Sequence, residues 1–459
     1  MNRFAIFLAV GATAVAAPGQ ARADNGLPTP PGFVDPDQAL SPVTMVSGSG
    51  IKVGEGTVFT PQVGLETGVV SNVFYTDTNA TAAGLLRLLI EVGTGSLPQS
   101  RFDTSRGAVT PGADPTNPNA DPDLTGSAST ASRGDFQYSA NVYASWDQYL
   151  STNHDVNAQG GLGGGLLLRG LVNPQQPLQF AFLEDFNRLI RATNFESNED
   201  TNRDINTLGL RLNYQPYGRS LGGYLYYSNL IDVFEAGNQQ FANRMQNTLG
   251  LRVNWNWLPL TRVYGDVSMG YYTGLGSSDK INSYPLLATL GIQTALTLNT
   301  TLGAHVGYAN GFYASGPSYS GLDGGVMAGY RYSPLGRITA QYAYQHSDSI
   351  NANFYTDHVI QARIEQYFIP FVVFAQPELR FRHYDGTIVM GTDGTNTRDD
   401  TIFSGTLGMR YSFRDWLAGT LDYRIDDVET DFRYDAGGGL VVNPSYVRHE
   451  LLLGVRAAY

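Results

Sequence analysis

Cysteine is absent from the whole chain, which excludes a disulfide framework and lipid attachment through a cysteine at position 24. Lysine is nearly absent, since only Lys52 and Lys280 occur, and charged residues make up 15% of the sequence. The formal net charge of −12 argues against a nucleic-acid-binding protein. No apolar run reaches the roughly 18 residues that a membrane-spanning helix needs, which excludes a helical membrane protein.

Glycine and aromatic residues are abundant, with 53 Gly, 28 Tyr and 22 Phe. Aromatic residues favour strands over helices. A chain of 459 residues would ordinarily predict two or three soluble domains. However, the same strand-like pattern continues from about Val58 to Tyr459 without a change of composition. One large closed sheet is the simpler interpretation.

The amino terminus has the pattern of a secretory signal peptide. A short positive segment containing Arg3 precedes an apolar run at residues 4–17, and Ala21 and Ala23 form a small-x-small cleavage motif. We therefore predict a signal peptide at residues 1–23, cleaved near Ala23. The next segment, residues 24–50, is rich in proline and predicts a flexible periplasmic lead-in to a barrel at residues 51–459.

The last strand of the chain has one apolar face. Odd positions from Leu451 to Tyr459 are apolar, while the even ones include Arg456. An outer-membrane β-barrel needs such a strand at its end, because the last strand must pair with the first so that no edge is left in lipid. The sequence thus predicts an all-β, transmembrane, antiparallel up-and-down barrel.

Alternating segments recur along the chain, and their number predicts about eighteen strands, an even count that places both termini in the periplasm. Tight connections at residues 216–219, 258–261, 333–336, 369–371 and 414–415 alternate with longer polar ones. Short periplasmic turns and long outer loops are the expected asymmetry of such barrels. One segment departs from it, because residues 96–134 are long, polar and proline-rich on the predicted periplasmic side. We expect either a disordered insertion or an arm that docks a partner or plugs the pore.

An aromatic residue ends each strand that enters a tight turn. Amphipathic rings of this kind belong at a membrane–water interface. The predicted members of this periplasmic girdle are Tyr214, Trp257, Tyr332, Phe368, Phe413 and Tyr459.

Side chains at the positions between the lipid-facing ones point into the lumen, and many of them are charged. Most of these charges lie on the last five and first two strands, which become neighbours when the barrel closes. The charged candidates for a lumen or transport site are Arg87, Glu91, Arg252, Arg363, Glu365, Arg380, Arg382, Arg410, Asp422 and Arg424. The other half of the wall carries Tyr224, Tyr226 and Tyr264, whose rings could stack on sugars. For any single residue, a wall stabilised and hydrated by paired charges is the simpler explanation.

Four short motifs resemble a known family. Residues 54–61 read GEGTVFTP and residues 68–75 read GVVSNVFY, and they resemble the opening of a family of β-barrel porins with a proline-containing first strand and an Asn-Val-Phe motif. Residues 84–88, GLLRL, and 203–210, RDINTLGL, resemble barrels encoded with exopolysaccharide or capsule export genes. The resemblance implies a role in moving a polysaccharide across the outer membrane together with periplasmic export proteins. It implies no catalytic residues.

Histidines near the predicted outer strand ends raise an enzymatic alternative, a protease or lipase at the barrel rim. His346, His358 and His383 all share the lipid-facing parity, however, and outward imidazoles are better placed to meet lipopolysaccharide headgroups than to catalyse a reaction in the lumen. Residues 392–397 are rich in Asp and Asn but lack the twelfth-position Glu of an EF-hand. We therefore expect no metal and no cofactor.

Three functions remain open: a channel that assists polysaccharide export, a general diffusion porin for small solutes and, with least support, a rim hydrolase. The expected partners are outer-membrane lipid and lipopolysaccharide, the barrel assembly machinery and periplasmic polysaccharide-export proteins, with no nucleic acid.

Overall fold

The computed structural model describes residues 50–53, 57–96, 135–173, 176–190, 195–196, 202–216, 219–258, 260–278, 280–297, 299–333, 335–368, 370–435 and 441–459. The predicted signal peptide, the lead-in up to residue 49 and the insertion beyond Ser96 lie outside these residues.

Eighteen long antiparallel strands form one closed sheet, which confirms the predicted barrel and its strand count. The first nine are β1 (Thr57–Val70), β2 (Ala83–Ser96), β3 (Phe136–Leu150), β4 (Gly161–Val172), β5 (Leu178–Leu189), β6 (Arg203–Tyr214), β7 (Leu221–Phe234), β8 (Arg244–Leu258) and β9 (Thr261–Gly274). The second nine are β10 (Leu286–Thr297), β11 (Thr300–Asn310), β12 (Ser320–Ser333), β13 (Gly336–Asp348), β14 (Phe354–Phe368), β15 (Phe371–Asp385), β16 (Thr397–Arg414), β17 (Leu417–Thr430) and β18 (Tyr446–Ala458).

The barrel closes where β18 pairs with β1, in a register that runs from Gln62 opposite Ala458 to Val70 opposite Glu450. The backbone N–H of Tyr459 donates to the carbonyl of Pro61 at 3.0 Å and extends this seam by one bond. A Cβ atom at Gly68 would lie 1.7 Å from the carbonyl oxygen of Leu451, so the two backbones approach each other too closely for any residue but glycine.

The two ends of the barrel differ in their connections. At one end, which we call the turn end, the links 259–260, 298–299, 334–335, 369–370 and 415–416 join neighbouring strands, and the last strand ends there too. At the other end, the loop end, the links are longer, as at 71–82, 275–285 and 386–396.

Alternation along each strand separates an apolar outer face from a polar inner face. On β1 the side chains of Val63, Leu65 and Val69 are exposed outward, whereas those of Gln62 and Glu66, which have the other parity, are buried inside. Because successive side chains of a strand point to opposite faces, the parity of a residue decides which of the two environments it meets.

Four small elements complete the described structure. A four-residue helix, His154–Asn157, begins after Asn153, whose side chain accepts a hydrogen bond from the N–H of Asp155 at 2.9 Å. A 3-10 helix spans Gly237–Ala242, and a small hairpin pairs Tyr434–Asp435 with Val441–Val442. The two-residue strand Ile51–Lys52 pairs with the start of β1. In the part of the chain that the structure describes, no helix is long and apolar enough to cross a membrane.

Candidate functional site: the inner wall and the outer mouth

The inner wall at the seam is held by a chain of ion pairs. Arg456 on β18 donates through Nε to Glu66 on β1 at 3.1 Å. Arg87 on β2 makes a two-pronged contact with Asp147 on β3, with both bonds at 2.7 Å. The Nη1 of Arg87 also lies 3.8 Å from Glu66 and 3.9 Å from Glu450. These contacts link the last strand to the first three across the closure.

Glu91 lies on the same face of β2 as Arg87 and accepts hydrogen bonds from neutral donors. The side chain of Gln62 donates to its Oε2 at 3.1 Å, and Asn141 donates to its Oε1. Glu91 is buried in this position. The structure therefore places it in the wall of the seam sector as a hydrogen-bond acceptor.

A second group of buried charges lies where β14 meets β15. Asp357 accepts from Nε and Nη2 of Arg382, both at 2.8 Å, and also lies 3.6 Å from Nη1 of Arg380. Arg380 donates in addition to Glu378. Asp357 and Arg382 are direct cross-strand partners on the inner face, so their planar groups meet edge to edge.

Further along the wall, charges pair within one strand. Arg363 donates to Glu365 at 2.6 Å and to Gln376 at 2.6 Å. The same spacing of two residues recurs in Arg398 with Asp400, Arg424 with Asp426 and Arg448 with Glu450, at 2.6 to 2.8 Å. Residues two apart on a strand share a face, so one sequence motif supplies both partners. Arg410 on β16 and Asp422 on β17 also have inward parity and are half-buried.

The sector of the wall with inward tyrosines is not neutral. The guanidinium carbon of Arg252 lies 3.8 Å from the centre of the Tyr264 ring, and that of Arg211 lies 4.9 Å from the Tyr224 ring. The hydroxyl of Tyr226 donates to Asp266 at 3.1 Å. Guanidinium groups therefore occupy ring faces that the sequence suggested for stacking on sugars.

At the loop end of the barrel, residues 349–353 join β13 to β14 and pack among other loops, and we call them the mouth segment. Ser349, Ile350, Ala352 and Asn353 are all buried. The side-chain amide of Asn353 donates to the carbonyls of Ser315 and Pro317, both at 2.9 Å. Backbone bonds also join the mouth segment to the start of the loop after β15. The mouth segment thus contacts loops on both of its sides.

A residue from the far side of the barrel reaches this segment. Glu196 lies in the connection between β5 and β6, which is nearly opposite β13 and β14 in the strand order. Its Oε2 accepts from the N–H of Ile350 at 2.9 Å and from the hydroxyl of Ser349. Its carbonyl accepts from the side chain of Asn351 at 2.6 Å and from Arg398 at 3.2 Å. The contact therefore spans the barrel.

Lys280, in the link between β9 and β10, holds the mouth segment from a third direction. Its ammonium group donates to the carbonyls of Ala352 at 2.8 Å and Asn353 at 2.7 Å, and lies 4.8 Å from the Tyr272 ring centre. Burial lowers the pKa of Lys280 to about 8, although Asp348 and Glu196 favour its charged form.

Sequence reasoning did not single out Glu196, Lys280 or the mouth segment as functional. Their signals were faint: Glu196 opens an acidic run between two strands, and Lys280 is one of only two lysines. Neither lies in an alternating segment, so no periodicity indicated the side to which it points.

The six girdle aromatics all lie at the turn end with their rings exposed on the outer face: Tyr214, Trp257, Tyr332, Phe368, Phe413 and Tyr459. Their exposed fractions run from 41% for Tyr332 to 63% for Tyr459.

The outward histidines differ in their surroundings. His358 and His383 are exposed, whereas His346 is covered: the ring of Tyr319 stacks on it at 4.3 Å, and Tyr313 hydrogen-bonds to its Nε2 at 3.1 Å. The expectation that His346 meets lipid headgroups is therefore wrong, because the link between β11 and β12 lies over it.

The Asp-rich loop forms an ordinary turn. Asp393 accepts from the N–H of Thr395 at 3.0 Å and from its hydroxyl at 2.7 Å, so its Oδ1 is already engaged. Within the described ranges, no group of three or more His, Asp or Glu side chains is arranged to hold a metal ion.

The chain is similar to known proteins in structure but not in sequence. No protein-family model matches the chain, and no curated protein matches its sequence. Among solved structures the chain is similar to OpdK of Pseudomonas aeruginosa, crystallised with vanillate, with 9% identity, a TM-score of 0.43 and coverage of 87% of this chain and 99% of that one. It is similar to OccK5 (OpdH) of the same organism at 9% identity and a TM-score of 0.44, covering 87% and 98%. The FrpB iron transporter of Neisseria meningitidis gives 8% identity and a TM-score of 0.42, covering 89% and 82%. Likeness at this level carries no argument about function, which rests on the barrel itself.

Proposed function

We propose that this protein is a channel of the Gram-negative outer membrane that passes small polar solutes. The observation that carries the proposal is a closed barrel with an apolar outer surface and a charged, hydrogen-bonded inner wall. An eighteen-stranded barrel is wide enough to hold an aqueous lumen, and partly exposed inner charges such as Arg363 and Arg424 would line it.

The orientation of the channel follows from its two ends. Barrels of this class have short turns on the periplasmic side and long loops outside. The turn end, where the last strand also finishes, would then face the periplasm, and the mouth segment would lie at the cell surface.

The solute class is limited by the contact between Glu196 and the mouth segment. This contact joins nearly opposite parts of the barrel at its loop end, and so divides the cross-section available to a solute. It favours ions and small polar molecules over a polymer chain.

Conductance measurements test this proposal. Wild-type protein in planar bilayers should show steady conductance, and Glu196→Ala should raise it and speed the entry of disaccharides into liposomes. Glu429→Gln, which removes an exposed charge on the outward face of β17, should leave both unchanged. Absence of conductance in wild-type bilayers would refute the channel, whereas equal conductance in wild type and Glu196→Ala would refute the narrowing by Glu196.

Polysaccharide export is the second candidate, and the resemblance of residues 54–61, 68–75, 84–88 and 203–210 to export-linked barrels favours it. A polymer would require the mouth segment to leave its position between Glu196 and Lys280. Deleting the gene in its native bacterium should then abolish surface polymer while small-solute uptake stays nearly normal. Normal surface polymer would exclude this role.

The proposed partners follow from the same arrangement. Signal-peptide cleavage near Ala23 and insertion by the barrel assembly machinery would bring the chain to the outer membrane. Periplasmic export proteins, if polysaccharide is the cargo, would meet the turn end, where the chain passes from β2, which ends at Ser96, to β3, which begins at Phe136.

A further inference from the structure

Three of the six histidines share one kind of position on the barrel. His358 on β14, His383 on β15 and His449 on β18 are all exposed, and each lies on the outward face close to the loop end of its strand. We call these three side chains the imidazole band.

Each imidazole of the band has one ring nitrogen engaged, and in each case it is Nδ1. The hydroxyl of Tyr342 lies 2.9 Å from Nδ1 of His358, and that of Tyr423 lies 2.9 Å from Nδ1 of His449. Nδ1 of His383 lies 2.7 Å from a carboxylate oxygen of Asp399. Among the residues that the structure describes, Nε2 of these three rings has no hydrogen-bond partner.

These partners determine what Nε2 can offer. A tyrosine hydroxyl that donates to Nδ1 leaves the imidazole hydrogen on Nε2, which is then a donor. The carboxylate of Asp399 can only accept, so Nδ1 of His383 donates to it and Nε2 is the ring nitrogen left facing outward. His358 and His449 therefore present Nε2 as a donor where their tyrosines donate to Nδ1, and in the described part of the chain no acceptor engages Nε2 of any of the three rings.

The imidazole band lies at the edge of the apolar outer surface. Two residues further from the loop end on the same face are the exposed side chains of Ile360 below His358, Phe381 below His383 and Leu451 below His449. The acidic residues Asp427 and Glu429 on β17 lie closer to the loop end than Ile425, the register partner of His449. The imidazoles thus stand between apolar side chains and more hydrophilic ones.

We propose that the imidazole band binds phosphate groups on the headgroups of outer-leaflet glycolipids. Phosphate oxygens are strong acceptors for such donors. A lipid source is favoured over free phosphate because the donors adjoin side chains that acyl tails would cover. The inference rests on the membrane orientation proposed above, but not on any transported solute.

Lipid retention measures this binding. The full-length protein, folded in mild detergent, is titrated with an acylated diglucosamine glycolipid carrying two phosphates, and retained lipid is counted by native mass spectrometry. The parallel titration uses the same glycolipid after its phosphates are removed enzymatically. The test variant is His358→Leu/His383→Leu/His449→Leu. The matched control is His154→Leu, which removes an exposed histidine from a loop-end helix outside the band.

We expect the triple variant to bind the phosphorylated glycolipid at least about tenfold more weakly, because the loss of even one hydrogen bond to a charged group has an effect of that size. The control should bind like wild type, and the phosphate-free glycolipid should bind equally weakly to all three proteins. Equal retention by wild type and triple variant would overturn the proposal, and so would full displacement of the lipid by inorganic phosphate at an equal concentration.

Bilayer conductance distinguishes a failure of the proposed lipid binding from a failure of the proposed channel function. The triple variant should conduct like wild type, because the band lies on the outer face. Loss of lipid binding with normal conductance supports the band, whereas wild-type protein that retains the lipid but conducts nothing would refute the channel alone.

Discussion

Asp357 accepts hydrogen bonds from one buried arginine and lies close to a second. Arg382 has both of its contacting nitrogens 2.8 Å from the carboxylate, and Arg380 lies 3.6 Å from it. Removing ions from water costs several kcal/mol each, and only good geometry and further hydrogen bonds offset that cost. The hydroxyl of Tyr384, which lies 3.1 Å from Nη1 of Arg382, supplies one more.

Asp357→Asn should therefore destabilise the barrel by about 3–5 kcal/mol, because it leaves buried guanidinium charge without its carboxylate. Urea unfolding of the protein folded into lipid vesicles measures the loss. Glu235→Gln is the matched control, since Arg188 and Glu235 form an exposed ion pair at 2.7 Å that should contribute less than about 1 kcal/mol. Similar losses in the two variants would contradict this account.

Residue types and their parity were enough to predict which charges face the lumen, as with Arg382 and Arg363. Their partners were harder to predict. Arg363 and Glu365 are two apart in sequence, so their shared face was readable. Asp357 and Arg382 meet through strand register, which no local pattern specifies.

At the scale of elements, strands were predictable and loops were not. Apolar and polar or small residues alternate at 249–257 of β8 and at 407–413 of β16, and the closed barrel with eighteen strands is confirmed. The mouth segment shows no alternation. Its position is fixed by contacts with Glu196, with Lys280 and with Ser315 in another loop. The covered position of His346 was missed for the same reason.

The titration of Lys280, which binds the mouth segment, makes the free energy of unfolding depend on pH. Burial lowers the pKa of its amine to about 8 from an ordinary 10.5. Between about pH 8 and pH 10.5 the unfolded chain therefore binds more protons than the folded protein. The free energy of unfolding rises with pH across this range. The gain is at most roughly 3 kcal/mol for a shift of this size.

Denaturation at pH 7.5 and pH 10 checks this effect. Lys280→Met should lose the stabilisation that wild type gains at the higher pH, because it has no amine to titrate. Lys52→Met, at the other and exposed lysine, should behave like wild type. If Lys280→Met gained as much stability as wild type on raising the pH, Lys280 would not be the group responsible.

At the scale of the whole molecule, the barrel separates two solvents. Leu453 lies on the outer face of β18, where half of its side-chain surface is exposed, and Gln341 lies on the inner face of β13, where its side chain donates to Gln361 at 2.8 Å. A substitution that suits one face should therefore be costly on the other.

Leu453→Arg should cost about 2–4 kcal/mol, the penalty for a cation near the middle of the bilayer. Gln341→Arg, which places the same side chain on the lumen side, should cost far less. Unfolding of each variant from vesicles gives the comparison. Equal costs on the two faces would argue against a lipid-facing outer surface.

The sequence by itself determined that this chain is a closed antiparallel barrel and which side chains face outward. Both follow from alternation with a period of two, which is local and which the two solvents impose on every strand. Only the tertiary structure decided how the charges pair and that Glu196 meets a hydroxyl 153 positions away in sequence. Such contacts depend on strand register, on closure and on loops without periodicity, and these arise only when the whole sheet has formed.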